Sequence, residues 1–197
     1  MARNADDMQR ELKPREMLEI IFEAIALISK EKEVDRILTP TADLGRELAR
    51  ADRCAIWLLS EDKTRLWTKV AHGISEISVS SDGGIVGRAI ADNAPIIIND
   101  AYADERFNPE VDAKTGYVTR NIIALPIYDG EGEIIGVYQA INKTTKEGIF
   151  SEEDLDRLKL AAIYSGATLE TAIAQKEIEE TQKMWGDGRN GNGKKRD

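Results

Sequence analysis

Residues 121–143, NIIALPIYDGEGEIIGVYQAINK, decide the fold. Segments 121–128 and 133–141 are apolar and β-branched, and the DGEG between them at 129–132 is a strong hairpin signal. Upstream, 54–59 and 66–71 read as a second hairpin across the polar link 60–64. A shorter strand, 77–80, ends at Asp82-Gly83-Gly84, and the compact apolar run 95–98 reads as a central strand.

Helical periods surround these strands. Residues 14–30 carry Leu18, Ile21, Phe22, Ile25 and Ile28 on one stripe. Residues 34–50 turn Ile37, Leu38, Leu44 and Leu48 inward, with Pro40 either kinking the helix or sitting in its first turn. A short helix fits 85–92. The last begins at Ser151, with Asp154 three residues on in a near capping box, and continues through Leu155, Leu158, Ala162, Leu169 and Ile173 to about Trp185. Between the strands, 100–120 mixes Asp, Asn, Pro, Gly and aromatic residues without a period, and so long an irregular excursion calls for a functional reason. The order predicts an α+β fold: one mostly antiparallel sheet of about six strands with helices on its faces. The expected division is a flexible arm at 1–13, the domain at 14–180, and a frayed helix end with a disordered tail at 181–197.

Composition narrows the function. A net charge of -9 over 197 residues argues against nucleic-acid binding, which draws its affinity from Lys and Arg on phosphates. No apolar run approaches the 18 or so residues of a membrane span, and MARNADDMQR lacks the apolar stretch of a secretory signal, so the cytoplasm is the expected compartment. Cys54 is the only cysteine and His72 the only histidine; they supply no disulfide framework, no zinc site and no catalytic constellation, so no enzyme is expected.

Three features have two readings each. The glycines of 83–87 stand at a strand-to-helix junction, where free amides would receive a phosphate or the chain would simply turn. Asp112, Thr115 and Thr119 would either meet a ligand from above or satisfy nearby backbone groups. The stripes of the first and last helices either pack on their own sheet or join a second copy in a parallel bundle. Small residues at Ala161, Ala162, Gly166 and Ala167 would permit the close approach.

From Gly84 onward the chain resembles the GAF domains of cyclic-nucleotide phosphodiesterases and cyanobacterial adenylyl cyclases. The resemblance rests on 84–87 (GIVG), 98–103 (INDAYA), Phe107, Val111-Asp112, Thr115-Gly-Tyr117, Thr119-Arg-Asn121, Ile135-Gly-Val137 and Asn142-Lys143. It implies terminal helices on one face of the sheet and a lid of short helices and loops over the other. It further implies cAMP or cGMP, or another small-molecule ligand, between sheet and lid, with no other cofactor and no metal.

By the same resemblance, backbone groups at Ile85 and Val86 hold the phosphate, while Asp112, Thr115 and Thr119 line the lid. Gln139 replaces a Glu near the base, Asn108 an aromatic lid residue, and Ala55 and Ala71-His72 the Ser and the Phe-Asp that some members use around the base. The family signature matches at Asn142, Lys143, Phe150 and Asp154, with Leu155 where Glu is usual, and implies a Lys143–Asp154 ion pair. Bilin photoreceptors need a lid cysteine, and free-methionine-sulfoxide reductases of this fold need several. The implied partners are a second copy, through the N- and C-terminal helices, and an output protein in trans. A piece of a larger sensor is the alternative. A ligand-free dimerisation module is the rival function.

Overall fold

The computed structural model describes residues 9–68 and 77–190. Six strands form one sheet in the order β3-β2-β1-β6-β5-β4, and every pairing is antiparallel. They are β1 (Ala51–Leu59), β2 (Arg65–Thr68), β3 (Ile77–Ser80), β4 (Ile96–Ile98), β5 (Ile122–Tyr128) and β6 (Ile134–Lys143). The hairpin of 121–143 forms β5 and β6, and its turn closes where Gly132 takes φ of 85°. The Asp129 carboxylate accepts the amides of Glu131 (3.0 Å) and Glu133 (2.8 Å) in that turn. The run at 95–98 is an edge strand rather than a central one: β4 pairs only with β5. It is apolar throughout because the cores on both faces reach it, Ile96 and Ile98 on one side and Ile97 on the other.

Helices α1 (Pro14–Ile28), α2 (Val34–Leu48) and α5 (Glu152–Asn190) gather on one face, with α1 lying on α2. Helix α3 (Gly84–Ala91), the loops of 100–120 and the six-residue α4 (Glu110–Thr115) cover the other. Helix α2 stays continuous through Pro40. The inward stripe of α1 is Ile20, Ala24 and Ile28, with Met17 beside it; Leu18 and Phe22, expected on that stripe, are exposed. Residues 9–13, read from sequence as part of a flexible arm, lie against the domain: Leu12 touches the core and the carbonyl of Gln9 accepts from the Lys146 amide (3.3 Å). Helix α5 runs to Asn190, beyond the Trp185 expected, and would measure about 58 Å at 1.5 Å per residue.

Small residues let the helices sit close. A Cβ at Gly45 of α2 would meet Tyr138 Cε1 at 2.6 Å, and one at Gly166 of α5 would meet the Tyr128 carbonyl at 2.1 Å. Ala161, Ala162 and Gly166 therefore serve contact with the chain's own sheet rather than a second copy, and only Ala167 of that set is exposed. Between the two helices the buried Tyr138 hydroxyl donates to the Thr41 carbonyl (2.9 Å) and lies 2.6 Å from Ser165 Oγ. Gly45→Ala forces a methyl against that ring and should cost about 1–3 kcal/mol. Urea denaturation reads it; an unchanged midpoint contradicts the packing described.

Candidate ligand site between sheet and lid

Strand alternation assigns the faces. Ile56, Tyr138 and Ala140 belong to the helix-side core. Their neighbours Ala55, Trp57, Ala124, Val137 and Gln139 therefore face the lid. Register places Gln139 directly between Ala55 on β1 and Ala124 on β5. Trp57, one step along the same face, donates its indole N–H to Gln139 Oε1 at 2.9 Å.

Above this floor stands the start of α3. Gly84 takes φ of 65°, and Gly87 has no room for a Cβ, which would lie 2.4 Å from the Ser81 carbonyl. No side chain caps this helix, so the first-turn amides, those of Ile85 and Val86 among them, are presented without a capping carboxylate or hydroxyl. The side chains of Ile85 and Val86 are buried in the lid-side core.

The lid holds itself together. Asp112 is 6 % exposed. Its carboxylate accepts from the Thr119 amide (2.6 Å), the Thr119 hydroxyl (2.9 Å) and the Tyr102 hydroxyl (3.0 Å). Tyr102 meets Phe107 edge-on with ring centres 5.2 Å apart, and Phe107 packs on the lid-side core. The two readings of Asp112 and Thr119 thus divide: the pair engages its own loop. Thr115 ends α4, and its side chain lies outside the described part. Asn108 is exposed and accepts from the Glu110 amide (2.9 Å), one residue before the Pro109 N-cap of α4. Ala71 and His72 fall outside the described residues.

The lid returns to the sheet through contacts that sequence reasoning missed. Tyr117 donates its hydroxyl to Asp52 (2.6 Å) and accepts from Asn142 Nδ2 (2.9 Å), with the Arg53 guanidinium 3.7 Å above its ring. Burial first, and then the Asp52 carboxylate, push the Tyr117 phenol well above its ordinary pKa. Asn142 sits at φ 59°, a region Asn tolerates, and its Oδ1 receives the Arg120 amide (2.7 Å).

Lys143 and Asp154 form an ion pair with side chains only 1 % exposed. Lys143 Nζ also meets Glu11 (2.9 Å), and Arg157 bonds Glu11 and lies 3.5 Å from Asp154. Asp154 accepts the Ser151 amide (3.0 Å), which realises the near capping box. Phe150 is buried, its amide donating to Asn99 Oδ1 (2.8 Å). Leu155 is buried in the helix-side core, a position where a carboxylate would need a partner. Cys54 is partly buried against the helix-side core, and desolvation pushes its thiol far above the ordinary range, a setting that disfavours the thiolate. Among the described residues no group of three or more ligating side chains stands ready for a metal, and no helix is long and apolar enough to cross a membrane.

The comparisons with known proteins agree with this geometry. A family profile described as GAF domain matches residues 33–169, most of the chain. The chain belongs to the GAF domain family. Dual 3′,5′-cyclic-AMP and -GMP phosphodiesterase 11 of Drosophila melanogaster is 34 % identical over 164 residues, 74 % of this chain and 11 % of that protein. Dual 3′,5′-cyclic-AMP and -GMP phosphodiesterase 11A of Takifugu rubripes is 29 % identical over 181 residues, 85 % of this chain and 20 % of that protein. The chain thus spans no more than a fifth of either relative. Among solved structures, the GAF domain of an Acinetobacter phosphoenolpyruvate-protein phosphotransferase superposes with a TM-score of 0.67 at 18 % identity, covering 84 % of this chain and 99 % of that one. This last likeness speaks for the fold alone.

Two outcomes follow from the buried charges. Lys143→Met takes from Asp154 its buried cation, leaving Arg157 at 3.5 Å and the Ser151 amide, and should cost about 3–5 kcal/mol, while Lys143→Met with Asp154→Leu should recover much of that loss, both read by chemical denaturation. At Glu11, burial alone would raise the carboxyl, but the bonds from Arg157 and Lys143 outweigh it and hold the pKa below the usual value. Its stabilisation is therefore complete above the ordinary glutamate pKa of about 4.3 and fades as pH falls through the lower folded value. Glu11→Gln should flatten the acid limb of the stability–pH curve; an identical limb in both proteins contradicts the contact.

Proposed function

We propose that this GAF domain is a regulatory module that takes a cyclic nucleotide, cAMP or cGMP, between sheet and lid. The observation that carries the reading is the α3 N-terminus. It is uncapped and opened by Gly84 on the lid side of the sheet, and such an end favours a phosphate through free amides and the helix dipole. The similarity to dual-specificity cyclic phosphodiesterases supports the same ligand class. The phosphate would lie on the amides of Ile85 and Val86. Asp112 and Thr119 would shape the lid through their mutual bonds, and Gln139 would meet the base.

Binding would fasten the lid and shift the packing of the terminal helices. The outer faces of α1 (Leu18, Phe22, Leu27) and α5 (Leu160, Ile163, Ile178) are exposed, and they would pair two copies in the cytoplasm. The described side chains of α5 past Ile173 are largely exposed, so this stretch would carry the signal to an output segment or a partner in trans.

A second reading, a dimerisation module without ligand, is favoured by the closure of Asp112 on Thr119 and Tyr102. Titration calorimetry on the folded protein separates the two. The first reading expects saturable heat with cAMP or cGMP at or below millimolar concentration; silence with both leaves the dimerisation module.

A further inference from the structure

The 100–120 excursion leaves and rejoins the sheet at two asparagines, Asn99 just past β4 and Asn121 just before β5. One backbone bond closes its base: the Ala101 amide donates to the Arg120 carbonyl at 2.8 Å. Both asparagines reach the same short stretch, residues 148–150, which leads into α5. Asn99 donates through Nδ2 to the Phe150 carbonyl (3.0 Å) and accepts the Phe150 amide at Oδ1 (2.8 Å). A planar side-chain amide thus engages one residue's donor and acceptor together, as a neighbouring strand would. Asn121 donates to the Gly148 carbonyl (2.7 Å), while its Oδ1 accepts the Lys143 amide (2.8 Å). Gly148 turns the chain with φ of 65°, and Phe150 is buried in the helix-side core. Ile149, between the two gripped residues, is exposed, so the stretch is held by its neighbours and not by its middle side chain. The next residue, Ser151, starts α5, its carbonyl accepting the amides of Asp154 (3.1 Å) and Leu155 (3.2 Å).

We infer that Asn99 and Asn121 make 148–150 a clip that passes movement of the lid's ends to the first turn of α5, with Asn99 as the positioning residue. Asn142 grips the returning end of the excursion; Asn99 ties the outgoing end to the lead of α5 as well. The Asn99 amide bonds both polar groups of Phe150, so that peptide stays behind a moving lid only by losing two hydrogen bonds at once. The clip acts on the lid itself and does not rest on the nucleotide reading.

The test is a double-mutant cycle read by NMR amide exchange on the ligand-free protein. Tyr102→Phe removes the hydroxyl that bonds Asp112 and touches no atom of the clip. In the wild type it should speed exchange of the Asp154 and Leu155 amides by about threefold or more. In Asn99→Ala the same change should leave those amides unmoved, while the Thr119 amide inside the lid responds in both backgrounds. Coupling is reciprocal, so Ser151→Ala should alter exchange at Ala101 and Ala103 in the wild type and not in Asn99→Ala. Asn99→Asp keeps the acceptor for the Phe150 amide and loses the donor; its response should fall between the two, and it serves where Asn99→Ala is too unstable to measure. A first turn of α5 indifferent to Tyr102→Phe in the wild type overturns the inference, as does an equal response with and without Asn99. Either result leaves the nucleotide titration and its reading untouched.

Discussion

Lys143 and Asp154 bring opposite charges together where neither meets water, and much of the architecture is arranged around that cost. A buried ion pair does not owe its value to Coulomb attraction alone, since desolvation consumes much of it. Its force lies in what breaking it would leave behind, a charge with no solvent. The last residue of β6 and the first turn of α5 must therefore stay in register. Glu11 and Arg157 extend the pair to the segment before α1 and one turn further along α5. The end of β6, the start of α5 and a segment more than 130 residues upstream are held at one point.

Asn142, the neighbour of Lys143, applies the same constraint to the lid. Its side chain receives the amide of Arg120 and donates to Val118 and Tyr117, where the excursion re-enters the sheet. Asn121 answers from the other strand by accepting the Lys143 amide at 2.8 Å. Lid anchor and ion pair thus share consecutive residues of β6. A ligand that fastened the lid would pull on the same strand end that holds α5, which gives a short physical route from pocket to helix. Whether two states lie along that route is a matter of coupling energy, not of adjacency.

Much of the fold was legible because its signals are local. The DGEG turn, the 3.6-residue stripe of α2 and the Ser151–Asp154 start of α5 each depend on neighbours in sequence, and each element forms where expected. The errors arose where tertiary context decides. The 95–98 run is apolar on both faces, which suits a central strand, yet it lies at the sheet edge beneath two cores. The small residues of α5 leave both a dimer seam and packing on the chain's own sheet open, because sequence does not show that the Tyr128 carbonyl of β5 lies 2.1 Å from where a Gly166 Cβ would sit. In the site, family likeness pointed to Asp112 and Thr119 but could not reveal that they bond to each other. Trp57 was accessible in principle: it shares strand parity with Ala55 and lies diagonal to Gln139. Glu11 had no local signal, since its partners are more than 130 residues away.

On the nucleotide reading, the sheet and the 100–120 lid would enclose a small anionic ligand whose occupancy reaches α5. Amide hydrogen exchange of the folded protein with saturating cGMP, compared with none, addresses it most directly. Slower exchange is expected at the start of α3 and across 100–120, together with a change near the Lys143–Asp154 junction. Exchange unaltered in all three regions, or slowed only on the outer faces of α1 and α5, would contradict it.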